Sequence, residues 1–194
     1  YEILSPDFPI LPDEALDMLR SLCKKEHPNI IIGTSMGGMF AGQLRGYRKI
    51  LVNPAFHVSE FMRTQIGVHE FLNPRQDGKT QYEITSELCD AYQAIEKCQF
   101  EDLSPFDQNK TYALFGKNDT LVHGHDEFIA HYKKDNARWF EGEHRLNFEI
   151  TKDIVVPLIH KIMKEEHIPL FGLESQEPIK NLDFIGLTLN YEMC

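Results

Sequence analysis

The stretch Ile30-Ile31-Ile32-Gly33-Thr34-Ser35-Met36-Gly37-Gly38 decides the fold of this chain. It opens with three β-branched residues in a row, which is typical of a strand buried on both faces of a parallel sheet. A Gly-x-Ser-x-Gly turn follows, and residues 39–44 continue as a helix. At such a strand–turn–helix, a serine is exposed at the tip of the turn, and small residues two positions before and after it avoid collision. The stretch therefore predicts that Ser35 is a nucleophile, with Gly33 and Gly37 as the small residues.

Strands and helices alternate along the rest of the chain. Further strand patterns cover residues 1–4, 49–52, 111–115 and 137–140, and helical patterns begin near residues 12, 123 and 147. This alternation predicts an α/β fold with a mostly parallel sheet, helices on both faces and its functional loops at the carboxyl ends of the strands. We expect Pro157 to kink or divide the last helix, and residues 184–189 to form an edge strand.

Composition narrows the class of protein. The 194 residues carry a net charge of -10, which argues against a nucleic-acid partner, and no apolar run approaches the roughly 20 residues of a membrane span. Four cysteines, at positions 23, 89, 98 and 194, form no Cys-x-x-Cys pair and are expected to be free thiols of a reducing compartment. We therefore expect a cytoplasmic protein with neither a nucleic-acid nor a membrane partner, and a homo-oligomer is left open.

A serine nucleophile needs a general base, and the base needs an acid that orients it. Asp119 follows the strand at 111–115, and His144 follows the strand at 137–140, so the chain order is Ser, Asp, His. The backbone N–H of Met36 is predicted to face the developing oxyanion at the start of the helix. The alternatives are that the Ser35 turn is a plain βα connection, and that His144 is a solvated loop residue.

Other histidines offer a metal site as an alternative. His123, His125, Asp126 and His131 lie close together in sequence at the start of a helix. Histidines at helix ends are commoner than zinc sites, which need three ligands and a satisfied outer shell. We therefore predict no metal and no cofactor.

The long insert at residues 56–108 is expected to hold helical segments and no buried strand, and to form a small cap over Ser35. Within it, Phe56, Phe61 and Met62 are candidates for lining an acyl pocket, the alternative being that they pack the cap against the core. Residues 1–167 would then form a single domain, followed by a tail at 168–194 of unassigned role.

The sequence resembles the small bacterial esterase-like α/β-hydrolases of the YqiA/YcfP group. The resemblance runs from the first strand to about residue 167 and rests on residues 32–38, 52–55, 116–119 and 142–144. It implies the α/β-hydrolase fold, with Ser35, Asp119 and His144 as nucleophile, acid and base. Members of the group begin with a strand and a His-Gly-Phe-type loop that donates a second N–H to the oxyanion. That loop is absent here. We expect that an upstream segment with the first strand is missing from this chain, the alternative being that the chain is a degenerate hydrolase.

The predicted function is cleavage of a small ester by a serine esterase, through an acyl-enzyme. Two other functions stay open at this point. The chain could be a thioesterase or acyltransferase with the same nucleophile, or a hydrolase-like protein that binds a ligand or partner without turnover.

Overall fold

A computed structural model describes residues 2–168 and a strand at 185–191. The strands are β1 (Glu2–Leu4), β2 (Ile30–Ser35), β3 (Arg48–Val52), β4 (Gly67–Glu70), β5 (Gln81–Ile84), β6 (Thr111–Gly116), β7 (Ala137–Phe140) and β8 (Ile185–Tyr191). The helices are α1 (Pro12–Glu26), α2 (Met36–Gly42), α3 (Val58–Arg63), α4 (Ser86–Cys98), α5 (Pro105–Lys110), α6 (His125–His131), α7 (Phe148–Ile150) and α8 (Val156–Glu165).

Six strands form one parallel sheet in the order β1-β8-β2-β3-β6-β7. The predicted α/β class is confirmed, and the strands after which the site residues were expected, β2, β6 and β7, all end at the same edge. The prediction of an edge strand near the end of the chain is wrong, because β8 lies between β1 and β2 and pairs with both. Phe184, the first residue of that prediction, lies outside the described residues.

Successive side chains of a strand point to opposite sides of the sheet, so β2, β3 and β6 each contribute to two hydrophobic clusters, one on each face. On one face Ile31, Leu51 and Ala113 pack under α1 and α2. On the other face Ile30, Ile50, Val52, Tyr112 and Leu114 pack under α8, through its apolar residues Leu158, Ile162 and Met163. The continuous apolar run that predicted a doubly covered strand is explained by this arrangement.

The last helical pattern is divided, as Pro157 predicts. Between α7 and α8, residues 151–155 form one wide π-helical turn. Proline has no N–H to donate and its ring collides with the carbonyl four residues earlier, so the regular α-helical hydrogen bonding is interrupted before Pro157.

The prediction that the insert at 56–108 holds no buried strand is wrong. The insert contains an antiparallel hairpin, β4–β5, in which Tyr82 and Ile84 are buried. Four residues are too short for a period of two to stand out in the sequence. The insert also shares the main core, where Tyr92 of α4 meets Phe40 of α2 edge to face with ring centroids 6.0 Å apart.

Cys23, Cys89 and Cys98 are free thiols, as expected, and Cys194 lies outside the described residues. No helix in the described part of the chain is long and apolar enough to cross a membrane.

A buried ion pair fixes the opposite end of the sheet. The Lys49 ammonium lies 2.7 Å from Oδ1 of Asp107, and both side chains are almost fully buried. Oδ1 also accepts from the Gly46 N–H, and Oδ2 accepts from the Ser104 hydroxyl. Burial acts to raise the pKa of Asp107, but the hydrogen bonds from Lys49 and Ser104 outweigh it and leave that pKa lowered.

We expect Lys49→Met to lower the free energy of unfolding by about 3–5 kcal/mol at neutral pH, because it leaves the Asp107 carboxylate buried without its cation. The difference in the free energy of unfolding between the wild type and Lys49→Met should become smaller as pH falls. The wild type loses stability as pH falls through the lowered pKa of Asp107, and the variant is relieved once its unpaired carboxyl is protonated. Urea unfolding across this pH range measures both effects, with Lys24→Met on the exposed face of α1 as the control. Equal stability of Lys49→Met and Lys24→Met at neutral pH would contradict the expectation.

Candidate active site

Ser35 stands at a strained turn between β2 and α2. Its backbone has φ 52° and ψ -123°, a conformation that residues other than glycine rarely adopt. Holding a serine in it costs roughly 1–3 kcal/mol. A Cβ on Gly33 would lie 2.2 Å from the carbonyl oxygen of Gly37, and one on Gly38 would lie 2.9 Å from Pro54. These glycines let the helix fold back closely on the strand, so the turn can hold Ser35 at its tip.

The structure brings together the three residues of the predicted triad. Nε2 of His144 lies 2.9 Å from the Ser35 hydroxyl oxygen, and Nδ1 of His144 lies 2.8 Å from Oδ2 of Asp119. The three residues come from the end of β2 and from the loops after β6 and β7. With a proton on Nδ1, the imidazole donates to Asp119 and accepts from the serine hydroxyl, which is the arrangement a general base requires.

The Asp119 carboxylate is held in one orientation by its own loop. Its Oδ1 accepts hydrogen bonds from the backbone N–H groups of Leu121 at 2.8 Å and Val122 at 3.0 Å. These donors leave Oδ2 as the oxygen that faces His144. The loop therefore fixes both the carboxylate and, through it, the imidazole.

The residue predicted to donate to the oxyanion, Met36, lies at the start of α2. It directly follows Ser35, and its side chain is buried. Backbone N–H groups in the first turn of a helix have no acceptor within the helix, so this one is available to a negatively charged oxygen.

Two of the three predicted pocket residues are buried in the core. Phe56 is 2% exposed and Met62 is 1% exposed, and both belong to the main core, where Phe56 packs against Phe100. Such buried side chains offer a ligand no surface, so the prediction that they line an open pocket is wrong and the packing alternative describes them. Phe61 is 46% exposed on α3.

A groove of about 340 Å³ opens beside Asp119. Phe115, His125 and Trp139 line part of it, and the ring centroids of His125 and Trp139 lie 4.9 Å apart. His131, another member of the considered metal cluster, stacks on Phe100 with ring centroids 4.0 Å apart. Over the part of the chain that the structure describes, no group of three or more His, Cys, Asp or Glu side chains could hold a metal ion.

The sequence interpretation assigned no role to Asn53, which lies at the centre of the site. It is 2% exposed, has φ 44°, and hydrogen-bonds the loops that carry Asp119 and His144. The local signal for it was an Asn-Pro pair directly after a strand, since asparagine tolerates the left-handed region and the pair favours a turn.

Comparison with known proteins gives two family matches. Residues 2–153 match the family described as "Uncharacterised protein family (UPF0227)", and residues 154–194 match one described as "Radical SAM proteins, N-terminal". A search of curated proteins returned no match.

Several solved structures share the fold. Est1E from Butyrivibrio proteoclasticus superposes with a TM-score of 0.57 at 14% identity, over 81% of this chain and 71% of its own. A monoacylglycerol lipase from Paleococcus ferrophilus has a TM-score of 0.52 at 11% identity, over 82% and 77%. Mouse alpha/beta hydrolase domain-containing protein 10 has a TM-score of 0.52 at 12% identity, over 80% and 70%.

The match over residues 2–153 covers most of the chain and confirms the resemblance found in its motifs. The structural likenesses, all at low identity, establish the fold. The chain belongs to the UPF0227 family and has the α/β-hydrolase fold.

Proposed function

We propose that this protein is a serine hydrolase that cleaves a small carboxylic ester. The observation that carries the proposal is the continuous hydrogen-bonded chain from Asp119 through His144 to the Ser35 hydroxyl, at 2.8 Å and 2.9 Å. The fold supports it, because the nucleophile stands on the strand-to-helix turn where α/β-hydrolases hold theirs. One protein that shares this fold, from Paleococcus ferrophilus, is named a monoacylglycerol lipase, which agrees with an ester as the substrate class.

The proposed reaction begins with acylation of Ser35. As the Ser35 oxygen attacks the ester carbonyl carbon, its proton passes to Nε2 of His144, and Asp119 stabilises the imidazolium through Nδ1. The carbonyl π electrons move onto oxygen, and the Met36 N–H donates a hydrogen bond to that oxyanion. When the tetrahedral intermediate collapses, the ester C–O bond breaks and the leaving alcohol takes the proton from Nε2.

Deacylation repeats these steps with water. Nε2 of His144, now neutral, accepts a proton from a water molecule that attacks the acyl-enzyme carbonyl. The collapse of the second intermediate releases the carboxylic acid and returns the proton to Ser35. The enzyme is regenerated, and the net reaction is hydrolysis of one ester bond by one water molecule.

A fluorophosphonate probe tests the nucleophile directly. We expect the wild-type protein to be labelled on one peptide, which mass spectrometry assigns to Ser35, and we expect no labelling of folded Ser35→Ala. Folded wild-type protein that resists the probe would contradict the proposal and favour a hydrolase-like protein that binds without turnover.

A substrate panel then tests the ester class. Turnover of p-nitrophenyl esters of increasing acyl length should exceed turnover of the matching acyl thioesters. The opposite preference, with the same dependence on Ser35, would assign a thioesterase. Transfer of the acyl group to an added alcohol or amine in preference to water would assign an acyltransferase.

A further inference from the structure

Asn53 occupies a position between the elements that carry the triad. It follows β3, which contributes no member to the triad and lies between β2 and β6 in the sheet. Its backbone N–H donates to the carbonyl of Leu114 at 2.9 Å, which continues the pairing of β3 with β6 beyond the strand end. The backbone of Asn53 is therefore held beside the loop that carries Asp119.

The Asn53 side chain joins the loops after β6 and β7. Its Oδ1 accepts from the N–H of Gly116 at 2.7 Å. Its Nδ2 donates to the carbonyl of Glu143 at 3.1 Å and to the carbonyl of His144 itself at 2.8 Å. One buried amide thus uses its acceptor and both of its donors across two loops.

The same turn also contacts the nucleophile. The Ala55 N–H donates to the carbonyl oxygen of Ser35 at 3.0 Å, and Pro54 packs so closely on Gly38 that a Cβ there would collide with it. Residues 53–55 therefore touch all three segments that bear the triad.

We propose that Asn53 is a positioning residue that sets the place of the His144 imidazole relative to Ser35 and Asp119. Its amide touches no reacting atom and acts by fixing the backbone on which the base is mounted. The effect on rate can be large, because a misplacement of about 1 Å in a reacting group costs on the order of 10²-fold. This inference rests on the proposed hydrolase function.

Two variants test the hydrogen bonds of the Asn53 side chain while the turn at residue 53 is retained. Asn53→Asp keeps an oxygen for the Gly116 N–H but turns a carboxylate oxygen toward the carbonyls of Glu143 and His144, which it repels. Asn53→Gly removes the side chain and suits φ 44°, so the turn itself is retained. We expect both variants to lower kcat by about 10- to 100-fold. KM should change less, so that most of the loss in kcat/KM comes from kcat.

Asn136 provides the matched control. It is also a buried asparagine, and its Nδ2 donates to the carbonyls of Asn109 at 2.8 Å and Thr111 at 3.0 Å, at the opposite end of β6 from the triad. Asn136→Asp should lower the unfolding temperature as Asn53→Asp does, yet leave kcat unchanged. Equal kcat losses in Asn53→Asp and Asn136→Asp, or unchanged kcat in both Asn53 variants, would overturn the proposal.

A second readout does not depend on turnover. The Nδ1 proton of His144, hydrogen-bonded to Asp119, is expected to give a downfield proton NMR signal in the wild type, assigned by its absence in His144→Ala. We expect Asn53→Asp and Asn53→Gly to shift or lose that signal, and Asn136→Asp to keep it. If the wild type hydrolyses no ester but shows this pattern, the proposed function fails and the positioning role stands. An unchanged signal in both Asn53 variants would refute the positioning role.

Discussion

Ser35→Ala should abolish ester hydrolysis, with kcat falling by about 10⁴–10⁶-fold. In the proposed mechanism the hydroxyl oxygen forms the acyl bond, and this oxygen lies 2.9 Å from Nε2 of His144. What remains should be the slow attack of water in the presence of the oxyanion donor. Steady-state hydrolysis of a short p-nitrophenyl ester measures this loss.

Ser104→Ala is the control for this change. The Ser104 hydroxyl caps α5 and contacts Asp107, so its loss should cost about 1 kcal/mol of stability without a change in turnover. Substantial turnover by Ser35→Ala, free of contaminating enzyme, would assign the nucleophile to another residue.

Asp119→Asn should lower kcat by about 10⁴-fold near neutral pH while preserving the fold. The N–H groups of Leu121 and Val122 require an acceptor at the Oδ1 position, so the amide oxygen of the variant takes that place. The amide nitrogen then faces Nδ1 of His144, which must become an acceptor. The imidazole proton moves to Nε2, where it prevents the ring from accepting the Ser35 proton. Pre-steady-state acylation rates measure the effect.

Asp107→Asn is a matched control, since it also neutralises a buried carboxylate, the one that pairs with the Lys49 ammonium. It should reduce stability and leave the acylation rate of the folded protein intact. A loss in Asp119→Asn no larger than that in Asp107→Asn would show that the imidazole does not depend on Asp119 for its tautomer.

Much of the site could be predicted because its polar residues lie at or just after the ends of strands. Ser35, Asp119 and His144 each come shortly after a strand, and parallel strands end at one edge, so local patterns placed all three. The order of these residues in the chain then suggests their roles as nucleophile, acid and base.

The parts that could not be predicted depend on contacts between distant positions. The bonds of Asn53 reach across 63 residues to Gly116 and 91 residues to His144, and no local pattern encodes such pairs. Phe56 and Met62 are apolar and lie in the insert, which suits either a pocket or a core, and only the packing around them decides. β8 lies inside the sheet, between β1 and β2. A short apolar run indicates a strand but does not indicate which strands it pairs with.

The family match and the hydrophobic core of this protein end at different residues. The UPF0227 match ends at residue 153, inside the π-helical turn, whereas Leu158, Ile162 and Met163 beyond it pack against one face of the sheet. A chain shortened to the matched residues would leave Ile30, Ile50, Val52, Tyr112 and Leu114 open to water. An exposed apolar surface of that kind invites self-association. Expression and library designs for this family should therefore extend at least to the end of α8, and the border between the two family matches is not a safe place to cut or fuse the chain.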